Sequence, residues 1–178
     1  MPKLIFLNGC INAGKSTVAG RLKRIVPGLA HVEVDDLHGF IAWMPIEKAI
    51  HLNLENAIAV TKNFLGAGLD VLFTYPLSKG DFENLRTRLG DMRTEILPIT
   101  LYVDREIGKT NRGRRELTDW EQARIDWMHE NGLARPGIGP VIDATRLSIE
   151  ETADAVLRLA GLRRVDPGDE IRLWPGNP

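Results

Sequence analysis

The residues best suited to chemistry lie near the amino terminus, where positions 9–16 read GCINAGKS and fit the pattern GxxxxGK[ST]. The glycines of this pattern let the backbone curl, so that successive N–H groups and a helix N-terminus point at phosphate oxygens. The lysine carries positive charge to the β- and γ-phosphates, and the serine hydroxyl can hold Mg²⁺. The sequence therefore predicts a nucleoside triphosphate site formed by Gly9, Asn12, Ala13, Gly14, Lys15, Ser16 and Thr17.

A pair of adjacent carboxylates, Asp35 and Asp36, follows the second predicted strand. The carboxyl ends of parallel strands converge on the ligand crevice of an α/β sheet, so we expect this pair beside the phosphate loop. A carboxylate there can accept the proton of a hydroxyl group or help Ser16 to hold a metal ion. One of the two can instead cap the helix that follows, because aspartate is a favoured N-cap residue. We expect at least one of them to take part in the chemistry.

Two classes of phosphate-loop protein are disfavoured by the motifs around this site. A regulatory GTPase needs NKxD and DxxG, and neither stands at a usable position. A motor ATPase needs acids at the end of the third strand, where this chain has Thr74 and Tyr75. The missing NKxD also favours ATP over GTP as the nucleotide.

Strand and helix patterns alternate along the chain, with apolar runs in KLIFLN, AHVEVDD, LDVLFTYPL, EILPITLYVD and PVIDAT. This alternation predicts an α/β fold with a doubly wound, mostly parallel five-stranded sheet. Asp81 is expected to cap the helix after the third strand, and the fourth strand is expected to start after Pro98. Ser148 and Glu151 predict a capping box. The long second helix has four apolar residues spaced four apart, Ile46, Ile50, Leu54 and Ile58.

Composition limits which classes of protein this chain can belong to. The 178 residues, 43% of them hydrophobic, suffice for one compact domain over positions 1–178. A net charge of −1 gives no electrostatic case for binding nucleic acid or a membrane surface. The single cysteine, Cys10, excludes an internal disulfide, and no apolar stretch approaches the length of a transmembrane helix. We therefore expect a soluble cytoplasmic protein, with no regular element over positions 162–178.

The phosphate loop followed by VDDLH after the second strand resembles the small-molecule kinases of the phosphate-loop superfamily. Shikimate kinase, gluconate kinase, chloramphenicol phosphotransferase and the kinase half of polynucleotide kinase belong to it, and the resemblance spans the order of elements over most of the chain. It implies ATP and Mg²⁺ as cofactors and Asp35 as the general base, with Asp36 as the second choice. The third strand lacks the acid that several relatives carry, so Asp35 or Asp36 would have to serve the metal.

A basic segment, positions 109–124, separates two predicted helices. Phosphoryl transfer needs positive charge that arrives when a lid closes over the transferring group. By resemblance, Arg112 would stack on adenine, and Arg114 or Arg115 would reach the phosphates, which makes Arg115 a catalytic candidate beside Lys15. The other interpretation is a solvated basic helix end, since acidic residues lie close by.

The acceptor is expected between the ends of the second and third strands, where the candidates are Asp36, His38, Trp43, Thr74 and Tyr75. No dense arginine cluster is found there, which favours an uncharged or amphipathic small molecule with a hydroxyl group. Two alternatives remain open at this point. One is a kinase of nucleosides, nucleotides or nucleic-acid ends, and the other is an ATP-binding regulatory protein with little turnover.

Overall fold

Five parallel strands form a single sheet in the order β2-β3-β1-β4-β5. The computed structural model describes residues 1–90, 92–112 and 116–165. The strands are β1 (Lys3–Gly9), β2 (Leu29–Glu33), β3 (Asp70–Thr74), β4 (Glu95–Tyr102) and β5 (Val141–Asp143). The predicted doubly wound α/β class is confirmed, and the predicted lid arginines Arg114 and Arg115 lie outside the described residues.

Helices cover both faces of the sheet. They are α1 (Lys15–Ile25), α2 (Ile46–Gly66), α3 (Lys79–Leu89), α4 (Arg105–Gly108), α5 (Asp119–Glu130) and α6 (Ile149–Ala160), with a 3₁₀ helix at Asp35–Phe40. Side chains alternate along β1, so Ile5 and Leu7 pack with α1 and α6, whereas Leu4 and Phe6 pack with α2 and α3. Each such side chain, fully buried, stabilises the fold by roughly 1.5–3 kcal/mol. In the described part of the chain, no helix is both long and apolar enough to cross a membrane.

Helix starts follow local capping chemistry. The predicted capping box of α6 is confirmed, since Ser148 Oγ accepts from the backbone N–H of Glu151 and the Glu151 carboxylate accepts from that of Ser148. The predicted cap of α3 was wrong. Ser78 is the N-cap, and Asp81 supplies the reciprocal bond from inside the first turn, because the Ser-x-x-Asp spacing satisfies two backbone donors at once.

The start of β4 also differs from the prediction. The strand begins at Glu95 and contains Pro98, with β1 paired along its whole length from Lys3 opposite Glu95. The shorter β5 pairs with β4 only over Thr100–Tyr102. Pro98 therefore lies where β4 is paired with β1 but not with β5, although Gly139 packs against it, and such a position tolerates a missing N–H.

Helix α2 buries only part of the stripe marked by its large apolar residues. Ile58 is buried and Leu54 packs against the core, whereas Ile50 is 40% exposed. The small or polar residues Ala49, Asn53, Ala57 and Thr61 are buried as well. Small side chains at Ala49 and Ala57 let this helix lie close to its neighbours. The carboxyl ends of β1, β2 and β3 then meet at one edge, because Thr74 is in register with both Leu7 and Glu33.

Candidate active site

The phosphate loop between β1 and α1 depends on backbone shapes that few residues adopt. Gly9 has φ 151°, and a Cβ placed there would lie 2.6 Å from the carbonyl oxygen of Leu101. Gly14 has φ 93° and precedes the first turn of α1. Asn12 is left-handed at φ 60°, a conformation that asparagine tolerates better than most residues. These residues shape the turn that delivers the chain to the N-terminus of α1.

Lys15 lies inside this loop. Its Nζ donates to the carbonyl oxygens of Gly9 at 2.9 Å and Cys10 at 3.0 Å. Burial lowers the pKa of Lys15, and the negative charges of Glu33 and Asp35 oppose that effect. The ammonium therefore lies between the loop and two carboxylates at the end of β2.

The start of the basic segment is fixed over the loop by hydrogen bonds. Asn12 Nδ2 donates to the carbonyls of Gly108 at 2.8 Å and Thr110 at 3.0 Å. Arg112 donates in turn to the carbonyls of Asn12 at 3.1 Å and Ala144 at 3.4 Å, and burial lowers its pKa. Between these groups lies a cavity of about 200 Å³, lined by Ile11, Asn12, Gly14, Lys15, Ser16, Thr17, Arg112, Leu117 and Glu121. Five of the predicted nucleotide residues, and Arg112, thus meet around one cavity.

Glu33, at the end of β2, is a site residue that the sequence analysis missed. Its side chain is only 8% exposed, and burial raises its pKa, while the nearby hydroxyl groups of Ser16 and Thr74 and the charge of Lys15 lower it. Its Oε2 is buried and has no hydrogen-bond partner among the described residues. The sequence did contain a signal for Glu33. A parallel strand that is covered on both faces rarely contains a charged residue. Glu33 is in register with Thr74, the end of β3, where several of the resembling kinases carry an acid.

The two predicted aspartates occupy different surroundings at the start of the 3₁₀ helix. Asp35 lies within electrostatic reach of Lys15, and its pKa is raised by partial burial and then lowered in part by that lysine. The charge of Asp36 raises the pKa of both Asp35 and His31, although burial lowers the pKa of His31 more strongly. Of the two aspartates, Asp35 is the one whose charge acts on Lys15.

The other acceptor candidates differ widely in exposure. Thr74 is fully buried, and its hydroxyl lies 2.8 Å from His31 Nε2 and 3.4 Å from the carbonyl of Val32. Tyr75 is half-buried, and its pKa is raised by burial and by the charge of Asp35. His38 Nδ1 is buried and has no hydrogen-bond partner in the described part of the chain. Tyr75 and His38 therefore lie within electrostatic reach of Asp35, whereas the Thr74 hydroxyl contacts residues of β2.

Trp43 extends from the segment between the 3₁₀ helix and α2. It is 100% exposed and left-handed at φ 62°, a rare conformation for a bulky residue. An exposed indole on a strained backbone costs free energy in the isolated chain.

Comparisons with known proteins identify the fold. No protein-family model matches the chain. No curated protein matches its sequence. Among solved structures, it is similar to a sugar kinase from Janibacter sp. HTCC2649 at 19% identity, covering 91% of this chain and 96% of that one with a TM-score of 0.66. The tunicamycin resistance protein of Deinococcus radiodurans is 16% identical over 94% of this chain and 100% of that one, also with a TM-score of 0.66.

A third similar structure is the shikimate kinase of Acinetobacter baumannii in complex with shikimate. It is 19% identical, and the match covers 89% of this chain and 93% of that one with a TM-score of 0.54. At these identities the likeness concerns the fold. The chain has the fold of the phosphate-loop kinases.

Proposed function

We propose that this protein transfers the γ-phosphoryl group of ATP to a hydroxyl group of a small molecule, with Mg²⁺. The observation that carries the proposal is the position of Asp35. Its carboxylate lies within electrostatic reach of the phosphate-loop Lys15, at the edge where three strands end. A phosphate-binding cation and a carboxylate in one cleft are the parts that phosphoryl transfer to a hydroxyl requires.

The nucleotide phosphates would lie in the cavity over the loop. The backbone N–H groups of the loop, the N-terminus of α1 and the Lys15 ammonium supply positive potential there. Arg112, which donates to the carbonyls of Asn12 and Ala144, would contact the base. We propose that positions 109–124 act as the lid, and that Arg114 or Arg115 adds charge at the phosphates.

The residues at the end of β2 and the start of α1 fit a magnesium ion. Ser16 Oγ, the Asp35 carboxylate and the buried Oε2 of Glu33, which has His31 Nε2 at 3.7 Å but no hydrogen bond among the described residues, are oxygen donors of the kind Mg²⁺ prefers. Among the described residues no group of three or more His, Cys, Asp or Glu side chains is arranged to hold a metal ion by itself, so the nucleotide phosphates and water would supply the other ligands. When bound, Mg²⁺ neutralises charge on the β- and γ-phosphates.

Asp35 would act as the general base. Partial burial raises its pKa and so makes it a stronger base than an ordinary aspartate. It would accept the acceptor's hydroxyl proton as the new P–O bond forms. Asp36, whose charge acts on His31, would shape the pocket instead.

The test compares wild type with Asp35→Asn and Asp36→Asn. ATP consumption and phosphorylated product are measured with Mg²⁺ over a panel of sugars, sugar acids, nucleosides and aryl alcohols. We expect Asp35→Asn to keep ATP binding and to lose about 10²–10⁴-fold in acceptor-dependent turnover, the usual contribution of a general base. Asp36→Asn should lose less than tenfold. Equal turnover in wild type and Asp35→Asn, with no acceptor accelerating ATP consumption, would point to an ATP-binding regulatory protein instead.

A further inference from the structure

A buried amide side chain joins β1 to the residues that follow β3. Asn8, the residue before Gly9 of the phosphate loop, is fully buried. Its Oδ1 accepts a hydrogen bond from the backbone N–H of Leu77 at 2.7 Å, and its Nδ2 donates to the Leu77 carbonyl oxygen at 3.3 Å. The same Nδ2 donates to the Thr100 hydroxyl oxygen at 3.4 Å. One side chain therefore satisfies both backbone polar groups of Leu77.

These bonds connect the two strands beyond the end of their main-chain pairing. The register of β1 with β3 ends at Leu7 opposite Thr74. Pro76, which has no N–H to donate, comes two residues later. Leu77 then contacts β1 through the Asn8 side chain. We call residues 75–77 the strand-end segment.

The strand-end segment is also fixed at its other end, beside the proposed general base. The strands β2 and β3 are in register up to Glu33 opposite Thr74, and the backbone N–H of Val34 donates to the Thr74 carbonyl at 3.4 Å. Asp35 directly follows Val34 in the chain, and Tyr75 directly follows Thr74. The segment therefore runs from the end of β2 that carries the base to the start of the phosphate loop.

The Asn8 side chain lies on the face of the sheet opposite to α1. Side chains alternate along β1, and Leu4 and Phe6 pack on the side of α2 and α3 together with Leu77. Asn8 is next in this alternation, and Lys15 bonds to backbone carbonyls of the loop rather than to this side chain. Substitution of Asn8 should therefore release the strand-end segment and leave the nucleotide contacts in place.

Burial makes the connection strong. A buried backbone group that loses its hydrogen-bond partner pays the full cost of desolvation. Leu77 is 1% exposed, so water does not replace the Asn8 amide there. Without that amide the strand-end segment has to move to find new partners, and a displacement of about 1 Å in a group that positions a substrate can slow a reaction about 10²-fold.

We propose that Asn8 is a positioning residue for phosphoryl transfer. Through Leu77 it sets the distance between the phosphate loop and the strand-end segment, which carries the acceptor candidate Tyr75. The inference rests on the proposed function. Asn8 is not a catalytic residue, because its amide is engaged by Leu77 and Thr100 inside the sheet. Its loss lowers the rate of transfer to the acceptor and leaves the affinity for the nucleotide.

The test compares the full wild-type chain with Asn8→Asp, Asn8→Ala and Thr100→Val. Asn8→Asp keeps the shape and still accepts the N–H of Leu77, but it sets a carboxylate oxygen against the Leu77 carbonyl. Thr100→Val is the matched control. It removes the third contact of the same amide from a site that is 1% exposed, and it leaves both bonds to Leu77.

Three measurements separate positioning from stability. Hydrogen exchange of the Leu77 amide, followed by NMR, should be at least about tenfold faster in both Asn8 variants. The acceptor-dependent kcat at saturating ATP, with the panel compound that wild type phosphorylates fastest, should fall by about 10–100-fold. Calorimetry with Mg²⁺ and a non-hydrolysable ATP analogue should give a Kd within about threefold of wild type. Thr100→Val should stay within about twofold of wild type in all three.

Unchanged exchange at Leu77 in the Asn8 variants overturns the connection, and faster exchange with an unchanged kcat overturns the positioning role. Equal losses of kcat in Asn8→Asp and Thr100→Val also overturn it, because the amide then only stabilises the sheet. If Asn8→Ala does not fold, Asn8→Asp decides alone. A wild type that phosphorylates no panel compound removes the proposed transfer and the positioning role with it, whereas the exchange rates still show whether Asn8 holds the strand-end segment.

Discussion

The phosphate loop and the acceptor side of the cleft are built in different ways. The loop is held by backbone geometry within a few residues, with Gly9, Asn12 and Gly14 at positive φ and Lys15 bonded to the carbonyls of its own loop. The proposed acceptor side is formed by side chains from β3, the 3₁₀ helix and the segment that carries Trp43. Trp43 is fully exposed, and among the described residues His38 Nδ1 has no hydrogen-bond partner.

This difference separates a common task from a specific one. Every nucleoside triphosphate presents the same phosphates, so one backbone turn is sufficient to bind them. An acceptor is recognised by its shape and charge, which side chains on exposed segments can vary without disturbing the fold. The phosphate loop should therefore respond to backbone changes, and the acceptor side to side-chain changes.

The largest expected effect is on the phosphate loop. Gly9→Ala places a Cβ 2.6 Å from a backbone oxygen, at a residue with φ 151°. The substitution should lower the free energy of unfolding by at least about 2 kcal/mol. It should also abolish ATP binding. The control Gly20→Ala meets nothing within 4 Å in α1 and should stabilise the protein by about 0.5–1 kcal/mol. Urea unfolding and nucleotide titration measure both. Equal unfolding curves would show that the loop does not depend on its backbone shape.

Glu33→Gln tests the junction between the two regions. It keeps the shape of the side chain and removes the charge near Ser16. The gain in nucleotide affinity on adding Mg²⁺ should therefore be about 10–100-fold smaller in this variant than in wild type. Calorimetry of ADP with and without Mg²⁺ measures this without turnover. Glu95→Gln, an exposed residue at the opposite end of the sheet, should behave as wild type. The same Mg²⁺ dependence in all three proteins would remove Glu33 from the metal site.

Trp43→Asn examines the strained segment of the acceptor side. Asparagine tolerates the left-handed backbone that tryptophan adopts at φ 62°, so the variant should be more stable by about 0.5–1 kcal/mol. Trp43→Ala retains the backbone cost and should show no gain. Thermal unfolding distinguishes them, and equal stability of the two variants would contradict the role of strain.

The smallest effect on turnover is expected from substitution of Cys10. Burial raises the pKa of its thiol to about 11. At pH 8 the thiolate fraction is then about 0.1%, against about a quarter for a free cysteine, so alkylation by iodoacetamide should be about 200-fold slower. Cys10→Ala should keep wild-type turnover. Rapid alkylation, or a large loss in Cys10→Ala, would instead assign chemistry to this thiol.

Much of the fold could be predicted from the sequence because its signals are local. The alternation of strands and helices and the Ser148–Glu151 capping box each depend on residues close together in the chain. The error at Pro98 had a tertiary cause, since the pairing of β4 with β5 begins only at Thr100 and leaves Pro98 without a paired strand on that side. The buried face of α2 could be predicted only in part, because packing buries Ile58 as expected but also buries the small side chains Ala49 and Ala57 and leaves Ile50 exposed.

The sequence by itself determined the phosphate loop, since GxxxxGKS between a strand and a helix encodes its own backbone path. Only the tertiary structure decided which acids approach it. The charges of Glu33 and Asp35 act on Lys15 because the end of β2 lies beside β3 and the 3₁₀ helix starts there. Local backbone geometry depends on residues adjacent in the chain. The shape of a cleft depends on distances between remote segments, and these distances are set only by packing.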